Sequence, residues 1–135
     1  MSNLAIFDTS IFIDHLRTGC HQQRIESMNV LLRTSCVVLA ELWRGATKPA
    51  ERAFLRALEK NHPTLTPTKN DWLDSGRLLS QICADHGFGP DKLRDLHFDV
   101  LIAFTARSNG ARLITSDRAD FELISAYRKF EFEVW

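Results

Sequence analysis

Short apolar runs in this chain alternate with stretches whose apolar residues recur at helical spacing, and this alternation restricts the fold more than any other feature. Leu4 to Phe7 is apolar and stops at Asp8-Thr9-Ser10, three side chains able to cap a helix; Ile11, Phe12, His15 and Leu16 then recur at helical spacing. A helical stretch from about Gln22 to Leu32 leads into Thr34-Ser35-Cys36-Val37-Val38, whose β-branched content reads as a buried strand. A helix carrying Glu41 follows and ends near Gly45. Pro49 suits the first turn of the next helix, with Ala53, Phe54, Ala57 and Leu58 on its apolar face.

Pro63 to Pro67 reads as a short strand, and Trp72, Gly76, Leu79, Ile82 and Cys83 form a helical stripe between Asn70 and His86. Gly87-Phe88-Gly89-Pro90 is the strongest breaker. Asp91 to His97 then reads as a charged surface loop or short helix, the most mobile part of the chain. Helix resumes from Asp99 to Ala106 and stops at Gly110, Arg112 to Thr115 is a strand, Asp117 to Tyr127 a helix, and Phe130 to Trp135 a last strand. Strands separated by helices need crossover connections, so the expected fold is α/β, with helices layered on a mainly parallel sheet. A chain of 135 residues is the size of one domain, spanning 1–135.

Lys plus Arg equals Asp plus Glu at 17 each, so no global positive field is available to hold a nucleic-acid backbone. A phosphate-bearing substrate has to be attracted locally. The N-terminus lacks a basic region and a cleavage site, and no window reaches the length of a membrane span, which points to a cytoplasmic protein without a membrane partner. Cys20, Cys36 and Cys83 fall at no zinc-like spacing and read as inert, core-filling thiols; His15, His21, His62, His86 and His97 likewise show no metal-ligand spacing.

Four acids sit where an apolar run gives way to a new element: Asp8, Glu41, Asp99 and Asp117. Each has an ordinary structural account. Asp8 serves as an N-cap, Glu41 pairs with Arg44 at i,i+3, Asp99 complements a helix N-terminus, and Asp117 with Asp120 forms a cap and its N3 position. Gathered together, they form a carboxylate cluster that needs a counter-cation. Oxygen ligands suit Mg²⁺ or Mn²⁺, and such a site favours phosphoryl chemistry.

The segments LAIFDTSIFIDHL, SCVVLAELWRGA, FDVLIAFTA and RLITSDRADF resemble, in order and spacing, the signature segments of PIN-domain ribonucleases, most closely VapC-type toxins of bacterial toxin–antitoxin pairs. The resemblance implies a three-layer α/β/α sandwich and Mg²⁺-dependent hydrolysis of RNA by an activated water, with Mn²⁺ as substitute. It implies Asp8 and Asp99 as principal metal ligands, Glu41 as third acid, Asp117 as fourth with Asp120 as its rival, and Ser10 as a supporting hydroxyl. It also implies an antitoxin partner and a homodimer.

Leu42, Trp43, Phe54 and Leu58 offer apolar surface that could receive an amphipathic peptide, but a core helix pair would show the same residues, and core packing is the favoured role for each singly. Arg44, Lys48 and Arg94 are the candidates for contacting RNA phosphate. The stretch from Gly87 to His97 departs from the family pattern, in which a short glycine-containing loop precedes the aspartate. Two other readings remain: a non-catalytic binding module, and a phosphotransfer protein with Asp8 as nucleophile.

Overall fold

The computed structural model describes residues 3–135; Met1 and Ser2, the start of the segment expected to lack a leader, lie outside them. The chain order is β1 (Leu4–Phe7), α1 (Thr9–Thr18), α2 (Gln22–Ser27), β2 (Leu31–Ser35), α3 (Cys36–Gly45), α4 (Pro49–Asn61), β3 (Thr64–Leu65), α5 (Lys69–His86), α6 (Pro90–Ser108), β4 (Arg112–Thr115), α7 (Arg118–Tyr127) and β5 (Phe132–Val134). All strand pairs are parallel, in the order β3-β2-β1-β4-β5. Helices flank this sheet, giving the expected three-layer sandwich. Among the described residues no helix is long and apolar enough to cross a membrane.

The order positions the site. From β1 the chain first builds outward through β2 and β3, then returns to the other side of β1 to lay down β4 and β5. The junction of β1 with β4 is therefore the topological switch point, where the connections leave in opposite directions and open a crevice beyond the carboxyl ends of the strands. Asp8 follows β1 directly, and its backbone N–H donates to the Ile114 carbonyl of β4 at 2.8 Å.

Four sequence expectations are corrected. The second strand is Leu31–Ser35, and Val37 and Val38 lie in α3. The reason is Ser35: its hydroxyl accepts from the Val37 and Val38 N–H groups at 3.2 and 3.4 Å, and this cap outweighs the β-preference of two valines. The stripe of α5 is rotated from the expected one, with Asp71, Ser75, Leu78 and Ile82 buried and Trp72 about half exposed. In α4 it is Leu55 that is buried, flanked by Phe54 and Leu58, whereas Ala53 and Ala57 face solvent.

The fourth correction bears on the site. Asp91 to His97 is neither loop nor separate short helix but the first part of α6, which runs unbroken for 19 residues from Pro90. Pro90 supplies the preset φ of a first helical turn, and Leu93, Leu96 and Val100 keep helical spacing through the charged stretch. Leu96 and Val100 are fully buried. Asp99 accordingly lies in mid-helix, so the helix dipole does not account for it.

If α6 continues through this stretch, Leu96→Ala should cost about 2–5 kcal/mol, as for a core leucine. A surface loop would keep the change within about 0.5 kcal/mol. Denaturant unfolding with an unchanged slope distinguishes the two.

Candidate metal centre at the sheet switch point

Asp8 is a buried carboxylate that does not use its side chain to cap the helix it precedes. Its Oδ2 instead accepts from the hydroxyls of Ser10 at 2.7 Å and Thr115 at 2.8 Å. Each hydroxyl is oriented in turn by a backbone amide: Ser116 N–H donates to Ser10 Oγ at 3.0 Å, and Asp117 N–H to Thr115 Oγ1 at 2.9 Å. With both hydroxyl protons committed to Asp8, the carboxylate is fixed across the β1–β4 seam with Oδ1 left to other partners. Burial raises its pKa above the ordinary carboxylate value, and the two hydroxyls pull it back.

Asp99 reaches the same crevice from α6. Its oxygens, with those of Asp117 and Asp120, form a group in which one ligand atom from each lies within 4.8 Å of the others. Burial, followed by the negative charges of Asp8, Asp120, Asp117 and Glu41, pushes its pKa up to about 9. Asp117 is raised by burial as well, and by the charge of Asp120. The capping expectation also holds, since Asp117 Oδ1 accepts the Asp120 N–H at 3.3 Å.

Glu41, on α3, accepts from the Thr9 hydroxyl at 2.9 Å. Its pKa is raised by burial first and by Asp8 among other charges, whereas Arg44 acts weakly in the opposite sense. The guanidinium of Arg44 is placed over the Phe98 ring, 5.4 Å from its centroid. Arg94 forms an exposed i,i+3 pair with Asp91 at 3.2 Å, and Lys48 is exposed at the N-cap of α4, its N–H on Glu51 at 3.3 Å.

Sequence reasoning overlooked Thr115, which lies at a strand end as Asp8 does, because its pairing with Asp8 comes only from the β1–β4 register, 107 positions apart in the chain. It also overlooked Lys92, whose ammonium holds Asp120 Oδ1 at 2.7 Å. The helical spacing Lys92-x₆-Asp99 through α6 was the available signal, hidden by reading that stretch as loop.

The arrangement has more carboxylate charge than cation. Oxygen donors at these separations fit a hard divalent ion with bonds of about 2.0–2.2 Å and retained waters, and the raised pKa values follow from burial and mutual repulsion that such an ion would relieve.

A parallel α/β/α sandwich with desolvated acids at its switch point defines the class as an acidic-centre α/β domain. The chain belongs to the PIN domain family, whose model matches residues 5–126. Its structure is similar to a chain of VapBC-1 from nontypeable Haemophilus influenzae (22% identity, 98% of each chain covered, TM-score 0.71). It is also similar to a chain of VapBC2 from Rickettsia felis, solved with a DNA fragment from its promoter (20%, 98% of each, 0.73). A third similarity is to VapBC-5 of Mycobacterium tuberculosis, described as a member of the VapBC family of toxin-antitoxin systems (27%, 98% of this chain and 99% of that one, 0.62). A comparison with curated protein sequences gives no match. The resemblance to VapC-type PIN proteins drawn from four sequence segments is thus borne out at the level of family and fold.

A raised pKa in the folded state fixes the sign of a pH effect. The metal-free folded chain keeps a proton on Asp99 that the unfolded chain releases near pH 4, so stability falls as pH rises toward 9. Asp99→Asn, which cannot ionise, should therefore raise the melting temperature in EDTA, by a margin that widens from about pH 5 to about pH 8. Thermal unfolding across that range checks it; a margin independent of pH would contradict the electrostatic cause.

Proposed function

We propose that this chain is a Mg²⁺-dependent endoribonuclease, one nuclease domain acting in the cytoplasm as the toxin of a toxin–antitoxin pair, with Mn²⁺ able to replace Mg²⁺. The observation that carries the proposal is the convergence of Asp99, Asp117 and Asp120 beside Asp8 at the switch point, with too little nearby positive charge to balance them. Asp8 and Asp99 hold the ion, with Asp117 completing the set and Glu41 at its edge. When bound, the metal supplies positive charge for a scissile phosphate and a water of lowered pKa.

The protein's own groups divide the remaining work. Ser10 and Thr115 keep Asp8 aimed into the crevice, a supporting role, because both bind its Oδ2. Thr9 does the same for Glu41. Lys92 offsets Asp120, which favours Asp117 as the fourth acid and leaves Asp120 to anchor the ammonium at the rim. Arg44, on the Phe98 side of the crevice, is the best placed of the three basic candidates to meet RNA phosphate; Arg94 and Lys48 serve at longer range.

The antitoxin reading draws support from a groove lined by Thr9, Ile13, Leu16, Glu41, Leu42 and Leu55, which begins at the acidic centre and continues over apolar residues of α1, α3 and α4. An amphipathic segment laid there would cover Glu41 and restrict access to the metal. Of the four apolar residues singled out in the sequence, only Leu42 lines this groove; Phe54 and Leu58 line a separate cavity beside α2. The homodimer belongs to the same reading.

Purified chain should cleave RNA with Mg²⁺ or Mn²⁺ and stop on chelation. Asp8→Asn and Asp99→Asn should abolish cleavage with the fold intact, and Thr115→Val should reduce it roughly 10–100-fold, as for loss of a group that orients a ligand. Asp117→Asn should cost more than Asp120→Asn. Full cleavage by the Asp99 variant would remove the proposal, whereas metal binding without cleavage of any RNA would favour the non-catalytic module.

A further inference from the structure

A second group of ligand-type side chains comes together at the end of α1 remote from Asp8. Asp14, Cys20 and His21 each offer one ligand atom, and these atoms lie within 4.8 Å of one another. α1 ends on Gly19 in the left-handed region (φ 65°), where glycine carries no steric penalty, and the turn returns Cys20 and His21 toward the last turns of the helix. His21 is 8% exposed, and its Nε2 stands 3.1 Å from Asp14 Oδ2. Its ring packs 5.4 Å from that of Trp135, the last residue of the chain. Cys20 is exposed at the rim, contrary to the expectation of a core-filling thiol.

We propose that Asp14, Cys20 and His21 form a binding site for Zn²⁺ or a similar borderline divalent cation, separate from the carboxylate centre, with a water as fourth ligand. The donor set decides the metal class. One nitrogen, one sulfur and one oxygen suit zinc, whereas Mg²⁺ takes oxygen ligands and has no use for a thiolate.

Geometry and charge agree with that choice. Tetrahedral bonds of about 2.0–2.3 Å place ligand atoms about 3.3–3.8 Å apart. The nitrogen and oxygen already approach that separation, and the exposed Cys20 side chain is free to turn the remaining distance. On binding, the thiol releases its proton to solvent, and the imidazole ligates in its neutral form with its proton on Nδ1. Thiolate and carboxylate then cancel the double positive charge, leaving a neutral site beside the partly buried Trp135 ring.

The consequence is mechanical. The ion would fasten the end of α1 to the start of α2 and, through His21 and Trp135, to the C-terminal end of the sheet. Asp8, Thr9 and Ser10 stand at the other end of the same helix, so the clip would steady the element that presents them without entering the chemistry.

Co²⁺ is the probe, because a thiolate ligand gives an intense near-ultraviolet charge-transfer band that carboxylates alone do not. The full-length chain, reduced and held in excess Mg²⁺ to occupy the carboxylate centre, should develop this band with one equivalent of Co²⁺. Zn²⁺ should displace the cobalt and raise the melting temperature. Cys20→Ser, at an exposed position that leaves the fold intact, should lose both the band and the zinc-induced shift, and Asp14→Asn should weaken both. Absence of the band at saturating Co²⁺, its survival in Cys20→Ser, or a zinc shift unchanged in that variant would each overturn the proposal.

Discussion

Like charges held in one desolvated crevice constrain the rest of this molecule. Asp99 in mid-helix, Asp117 and Asp120 at the start of α7, and Asp8 at the end of β1 face a common space, and removal from water raises the cost of each charge by weakening its hydration. Nothing in the packing asks for this. The core elsewhere is built from Ile6, Val38, Leu96, Ile102, Leu113 and Phe121, each fully buried and apolar. The chain thus spends core stability to hold acids apart from solvent, the pattern expected where a site serves chemistry at the expense of folding.

The remedy is built from neutral donors more than from cations. Ser10 and Thr115 bind Asp8, Thr9 binds Glu41, and the backbone N–H of Asp120 serves Asp117; Lys92 supplies a direct ion pair to Asp120. Hydroxyls orient a carboxylate without quenching its charge, so the negative potential survives for an incoming ion. An arginine paired to each acid would have stabilised the fold and closed the site.

Much of this is legible in the sequence, for identifiable reasons. The β1 and β4 runs are short, apolar and bounded by capping residues, so the acids that follow them, Asp8 and Asp117, are assigned to strand ends by the pattern of residues alone. Glu41 stands out by its apolar neighbours. Two things are hidden. The density of charge between Asp91 and Asp95 masks the periodicity of Leu93, Leu96 and Val100, and with it the continuity of α6 and the place of Lys92. Sites made by tertiary return of the chain are equally opaque: Cys20 and His21 meet Asp14 only because Gly19 reverses the backbone, and a spacing search restricted to cysteines and histidines omits the aspartate.

The central claim is that the acids at the switch point hold a divalent ion. Anomalous diffraction from crystals grown with Mn²⁺ tests it most directly, because manganese scatters anomalously where Mg²⁺ and water do not. The account predicts a peak bounded by Asp8, Asp99 and Asp117, with Ser10 and Thr115 still on Asp8. A well-ordered crevice with no peak there at saturating Mn²⁺, or a peak held by other residues alone, would contradict it.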